Sequence, residues 1–248
     1  MTDSLGPRMK FGVVAPSTNT SVQPEMEGMR PYGVTNHFSR IIIPDTRVTD
    51  DRSYMVMLNN IREATMAAVE AVATCSPGHV IMAMSAEAFW DGSRGASKLQ
   101  KTIEKHAGTG VTLASSACRE ALRRYGNIRR IGVITPYMPI ADIQVRRYFT
   151  DIGMDVVNLI GLRCPSPMLI SHVSKAQLRD AILKVNRGKV DAIVQVGTNL
   201  AMAEVAAMAE FWLDKPVIAI NTATYWYALR KNGIKDRVHG WGSLLAEH

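Results

Sequence analysis

Gly12-Val13-Val14-Ala15-Pro16 and Gly132-Val133-Ile134-Thr135-Pro136 are one short apolar stretch written twice, and that recurrence decides the fold. Each copy runs through β-branched residues and stops at proline, as a buried strand with a tight exit does. Two more pairs recur in the same order. Val80-Ile81-Met82-Ala83-Met84 parallels Ala192-Ile193-Val194-Gln195-Val196, and Ala121-Leu122-Arg123-Arg124-Tyr125-Gly126 parallels Ala228-Leu229-Arg230-Lys231-Asn232-Gly233. One such match is weak, because apolar strands resemble one another. Three in a single order imply a duplicated unit.

Working outward, strands are expected at Lys10–Ala15, His37–Ile43, His79–Met84, Val111–Ser115, Arg130–Thr135, Asp155–Leu162, Asp191–Gly197 and Pro216–Ile220. Helical patterns lie between them, near Asp50–Thr74, Ser93–His106, Ala117–Tyr125, Ile140–Ile152, Ser174–Asn186, Leu200–Phe211 and Ala223–Lys231. Alternation of this kind marks βαβ units, and near-continuous apolar strands mark a parallel sheet covered on both faces. The expected class is therefore α/β: two similar Rossmann-like halves, each a four-stranded parallel sheet flanked by helices, with the site in the cleft between them. The halves are read as 1–126 and 127–248, with 1–9 a flexible tail and the final helix packing back on the first half.

The 248 residues are 47% hydrophobic and 21% charged, ordinary for a globular protein. No apolar run is long enough to span a bilayer, and the polar start lacks a secretion signal, so a cytoplasmic, membrane-free protein is expected. The net charge of +7 raises the question of nucleic acid. Its basic residues cluster at helix ends (Arg119, Arg123, Arg124, Arg129, Arg130) without any nucleic-acid-binding motif. A basic rim attracting an anionic substrate is the better reading. Cys75, Cys118 and Cys164 are odd in number and far apart, and the six histidines form no ligand pair, so neither a disulfide framework nor a metal is expected.

In open parallel sheets, ligands sit beyond the carboxyl ends of the strands. The loops there carry the candidates. Pro16-Ser17-Thr18-Asn19-Thr20-Ser21-Val22-Gln23-Pro24-Glu25 offers neutral donors for an anion, or else caps a following helix with Pro24 at its first position. Ser85-Ala86-Glu87 gives a hydroxyl and a carboxylate able to act as base, although Glu87 also suits the first turn of a helix. Tyr137 ends a strand and either points its hydroxyl at an oxyanion or rims the sheet. Gly197-Thr198-Asn199 allows close backbone approach plus two polar side chains, or an ordinary helix cap. For Asn221-Thr222-Ala223-Thr224, capping is the preferred reading.

From about Lys10 to Gly233 these loops, in this order on repeated halves, resemble the aspartate/glutamate racemase superfamily, closest to its maleate cis–trans isomerase and arylmalonate decarboxylase branch. Pro16–Glu25, with Asn19 and the Pro24-Glu25 pair, looks like the first substrate loop of the isomerases, and Thr135-Pro136-Tyr137 like the tyrosine loop. The resemblance implies no cofactor, a small carboxylate as substrate, assembly as a homodimer or homotetramer, and a cysteine at each of two equivalent strand ends. Here the first of those positions falls on Met84 or Ser85 and the second on Val196 or Gly197. A two-cysteine racemase is thus not expected.

What remains is a carboxylate cradle: Ser17, Asn19, Thr20, Ser85, Tyr137, Gly197, Thr198 and Asn199 as binding residues, with Ser85, Glu87 and Tyr137 as the catalytic set. The expected activity is cofactor-independent lyase or isomerase chemistry on a mono- or dicarboxylate, favoured as an arylmalonate-decarboxylase-like reaction through an enediolate. The alternatives are maleate-type isomerisation, hydrolysis or epimerisation of a cyclic carboxylate as in ectoine utilisation, and carboxylate binding without catalysis.

Overall fold

The computed structural model describes residues 3–248. The first sheet consists of β1 (Met9–Pro16), β2 (Val34–Ile41), β3 (His79–Met82) and β4 (Val111–Leu113), in the order β2-β1-β3-β4. The second consists of β5 (Arg130–Thr135), β6 (Asp155–Gly161), β7 (Ala192–Gln195) and β8 (Val217–Ala219), in the equivalent order β6-β5-β7-β8. All pairings are parallel. Strands β3 and β7 are buried along their whole length, because helices cover both faces.

The helices are α1 (Val22–Gly28), α2 (Asp51–Ala73), α3 (Gly92–Ala107), α4 (Ala114–Tyr125), α5 (Pro139–Asp151), α6 (Lys175–Val185), α7 (Ala203–Leu213), α8 (Ile220–Lys231) and α9 (Ser243–Glu247). Local chemistry starts several of them. Asp50 and Ser53 form a capping box on α2, Ser174 and Gln177 one on α6, and Pro139 opens α5. Helix α1 entered the sequence reading only as the capping alternative for the Pro16–Glu25 loop, although Val22, Met26 and Met29 follow a helical spacing and are buried. Pro24 stands third in it rather than first. Gly28 lets the Trp241 ring lie against α1, since a Cβ there would sit 2.3 Å from Cζ2. Gly28→Ala is expected to cost about 1–3 kcal/mol in urea unfolding followed by tryptophan fluorescence.

Helices α4 and α8 begin directly at the strand ends, three residues earlier than expected. Ser115 and Asn221 therefore lie buried in first turns rather than in loops. Helix α8 packs on α4 and against β3 and β4, and one continuous core draws side chains from both sheets. The tail reading is corrected from Asp3 onward. Asp3 accepts from the backbone of Leu5 and Gly6, Arg8 pairs with Asp236, and β1 already starts at Met9. Met1 and Thr2 lie outside the described residues. Among the described residues no helix is long and apolar enough to cross a membrane.

Register makes the duplication exact enough to align side chains. Val14 pairs with Met82 in the first sheet, and its repeat counterpart Ile134 pairs with Gln195 in the second. The next ladder bonds, Ala83 N to Val14 O and Val196 N to Ile134 O, are both 2.8 Å. The counterpart of Met84 is therefore Gly197, not the Val196 that sequence matching paired with it, and the counterpart of Ser85 is Thr198. A slip of one residue moves a side chain to the opposite face, so this assignment decides what enters the cleft.

Candidate active site

The loops after β1, β3, β5 and β7 converge on a cavity of about 50 Å3 between the halves. Its polar lining comprises Thr18, Asn19, Ser85, Tyr137, Thr198 and Asn199, with Gly197 among them. Its apolar lining includes Ile43, Met57, Ile61, Met84, Pro167 and Ile170. Among the described residues no lysine or arginine lines it.

Ser85 Oγ and Tyr137 OH lie 2.6 Å apart, and Thr198 N donates to Ser85 Oγ at 3.2 Å. Two hydroxyl hydrogens serve this pair and one suffices for their mutual bond, so the other is free for a ligand oxygen. Burial raises the Tyr137 phenol well above its ordinary value, which keeps it a neutral donor. Its loop is held from behind. Thr135 Oγ1 accepts from Tyr137 N and donates to Asp142, which pairs with Arg163, while Arg163 also donates to Tyr137 O. The backbone N–H groups of Ser85 and Ala86 have no protein acceptor among the described residues.

Asn19 combines both roles left open by the sequence. Its Oδ1 accepts from Ser21 N and Val22 N at 3.0 Å each, capping α1, and its Nδ2 donates to Thr198 Oγ1 at 3.1 Å, leaving one N–H over. Asn199 lines the cavity but its amide is engaged: Oδ1 accepts from Thr20 N, and Nδ2 donates to Thr18 O and Pro167 O. It ties three loops together. Gly197 has φ = +110°, and a Cβ would lie 2.5 Å from Pro136 Cδ. Only glycine suits that corner.

Three expected site residues are not brought to the cavity. Ser17 Oγ bonds both N and O of Ile43, closing β1 onto the end of β2. The Thr20 side chain is exposed, and Thr18 takes the cavity position instead. Glu87, expected as a base, turns the other way: it accepts from Arg62 Nε at 2.8 Å, and Arg62 lies over Trp90. Glu87 N bonds Met84 Sδ, a one-turn bend that carries the side chain to the α2 side. The apolar cover was missed because nothing local in the sequence signals it, and Asn221, read as a helix cap, instead donates its Nδ2 to Thr198 O at 2.9 Å.

Among the described residues no cysteine lines the cavity, and no group of three or more His, Cys, Asp or Glu is placed to hold a metal. Cys164 is nearest, in an adjoining space of about 20 Å3 that shares Met57, Tyr137, Pro167 and Ile170 with the main cavity. Burial raises its thiol to about 11, so it stays protonated and weakly nucleophilic.

Two duplicated parallel sheets facing one pocket of neutral hydrogen-bond donors define a class of two-lobed α/β proteins built to hold a small anion between lobes. Within that class the chain belongs to the arylmalonate decarboxylase family, whose model matches residues 11–245. Among curated proteins, the maleate isomerase of Alcaligenes faecalis is 24% identical over 252 residues, covering 96% of each chain. Among solved structures, the Nocardia farcinica maleate cis–trans isomerase bound to TRIS superposes with a TM-score of 0.87 at 20% identity, over 96% of this chain and 98% of that one. An arylmalonate decarboxylase crystal structure gives 0.77 at 18% identity, over 96% and 100%. A variant of the Nocardia farcinica enzyme is also known with a covalently bound succinylcysteine intermediate.

Proposed function

We propose that this chain is an enzyme that removes CO2 from a small malonate-type dicarboxylate, holding the remaining carboxylate as an enediolate without a thiol. The observation that supports this most is the make-up of the cavity lining, a bonded cluster of neutral donors (Ser85, Tyr137, Thr198 and Asn19) together with apolar side chains. One carboxylate accepts from the free hydroxyl hydrogen of the Ser85–Tyr137 pair, from Asn19 Nδ2 and from nearby backbone N–H groups. The other faces Ile43, Met57, Ile61 and Ile170, with no cation to solvate it. Desolvation favours its departure as neutral CO2, while the donors stabilise the charge that grows on the retained group.

The bond from the α-carbon to the leaving carboxylate breaks, and its electron pair enters the enediolate. The α-carbon then takes a proton from Tyr137 OH, since an enediolate carbon is far more basic than a phenolate. Solvent reprotonates the tyrosine. Ile43 comes to the cavity lining from the first half and Ile170 from the second.

Isomerisation through a cysteine adduct, such as the succinylcysteine intermediate of the Nocardia farcinica enzyme, is less well supported, because Met84 and Gly197 occupy the two equivalent strand ends. Hydrolysis with Glu87 as base is disfavoured by its pairing with Arg62. Assembly as a dimer or tetramer belongs to the same reading, and light scattering measures it.

Proton NMR in D2O with methylmalonate, phenylmalonate and maleate tests the proposal. Loss of CO2 with deuterium at the α-carbon is the expected result. Conversion of maleate to fumarate without decarboxylation of either malonate would overturn it, and affinity without turnover would leave a binding protein.

A further inference from the structure

Glu25 is a carboxylate behind the Thr198 side of the cradle that the proposed chemistry does not use. It projects from α1 across the gap between the halves. Its Oε1 accepts from Ala203 N, the first residue of α7, at 3.0 Å, and its Oε2 accepts from Asn221 Nδ2 in the first turn of α8 at 2.6 Å. That same Nδ2 donates to Thr198 O at 2.9 Å. Thr198 in turn donates its N–H to Ser85 Oγ, gives its hydroxyl to Ala83 O and accepts from Asn19. A single chain of bonds thus runs from Glu25 through Asn221 and Thr198 to the Ser85–Tyr137 pair.

We propose that Glu25 is a positioning residue, whose ionised carboxylate holds Asn221 so that Asn221 fixes the Thr198 peptide and with it the donor geometry of the cradle. This rests on the functional reading above and adds a control point to it. The carboxylate has no ion-pair partner among the described residues. Its counterpart behind Tyr137, Asp142, has Arg163.

The charged neighbours are accounted for. Glu204 in α7 opposes ionisation and is itself paired with Lys175. On β2, Arg40 is engaged with Asn19 O and Gln23 Oε1, and on α1, Glu27 is paired with Arg30 and bonded by Asn36. On α8, Tyr225 is occupied with Asn36. Burial pushes Glu25 up to about 7 against the two N–H donors. Both protonation states are therefore populated near neutrality.

The two states differ in what they do to Asn221. The ionised carboxylate accepts from both N–H groups. Once protonated, it must donate, and the acceptor at hand is Asn221 Oδ1, which is buried and unpartnered. Turning the amide to meet that proton takes Nδ2 away from Thr198 O. The cradle is thus tightened above the Glu25 titration and loosened below it. Linkage has the opposite sign for folding. With a folded value above the ordinary 4.5, the native chain binds the proton more strongly, so this group lowers stability as pH rises from about 4.5 to 7.

The test follows propionate binding by calorimetry at pH 8 and pH 6, a range in which propionate stays ionised, together with the Thr198 amide resonance. In the wild type, affinity is expected to fall about tenfold one pH unit below the Glu25 titration, and the Thr198 resonance to move with a midpoint near 7. Glu25→Gln is expected to bind weakly at both pH values with a static Thr198 resonance, and Glu25→Asp to recover part of the affinity and of the pH dependence. Wild-type affinity and pH dependence retained in Glu25→Gln would overturn the proposal. If propionate and methylmalonate both fail to bind the wild type, the functional reading falls. The resonance then decides alone: titration in the wild type lost in Glu25→Gln supports the positioning role, and a wild-type resonance indifferent to pH defeats it.

Discussion

Tyr137→Phe is expected to lower CO2 release from methylmalonate by about 10²–10³-fold, the usual consequence of removing one preorganised donor to a developing oxyanion. The loss should lie mainly in kcat, because the phenol is worth most when charge has moved onto the retained carboxylate. The site explains the size. Tyr137 is 5% exposed, paired with Ser85 at 2.6 Å and held by a backbone network that phenylalanine leaves intact. Ser85→Ala removes the partner hydroxyl and the acceptor of Thr198 N, so the two substitutions act on one unit. Their combined effect should fall well short of the product of the single effects. A decrease below about tenfold in the double variant would remove the cradle from the catalytic account.

Ile170→Lys tests the apolar lining of the cavity and should lower kcat and KM together. Ile170 is half-buried in the 3-10 turn Met168–His172, so a lysine stem can follow its path and bring an ammonium to the apolar wall. A cation there solvates the carboxylate that is to leave. Ground-state binding improves, the desolvation that favours CO2 loss disappears, and turnover is expected to drop about 100-fold, or roughly 2.7 kcal/mol in the barrier. Steady-state kinetics separate the two quantities. Faster turnover in this variant would mean that charge compensation, not desolvation, limits the reaction.

Much of the architecture could be read from the chain because it rests on short-range patterns. The strand cores, the long amphipathic helices and the repeated Gly-to-Pro strand report burial on two faces, which periodicity records directly. Helix α1 escaped that reading because seven residues with a proline inside carry too little periodic signal. The strand ends of β4 and β8 were overextended because buried residues continue straight into the first helical turns.

The site was legible as a set of loops but not as a set of side-chain directions. Asn19, Ser85, Tyr137, Gly197, Thr198 and Asn199 all reach the cavity, while Ser17, Thr20 and Glu87 sit in the expected loops and face elsewhere. Glu87 is the instructive case, since its direction depends on Arg62, a residue from a different helix.

By itself the sequence determined that this protein is a duplicated α/β unit whose polar strand-end loops carry neutral donors and lack the paired cysteines. Only the tertiary structure decided that Met84 and Gly197 hold equivalent strand ends, that Ile43, Met57 and Ile170 line the cavity, and that Glu25 reaches Thr198 through Asn221. The division has a physical cause. Backbone propensity and burial patterns act over a few residues and leave their mark locally. A hydrogen bond between Glu25 and Asn221 exists only once two independent sheets have packed and set their register against each other.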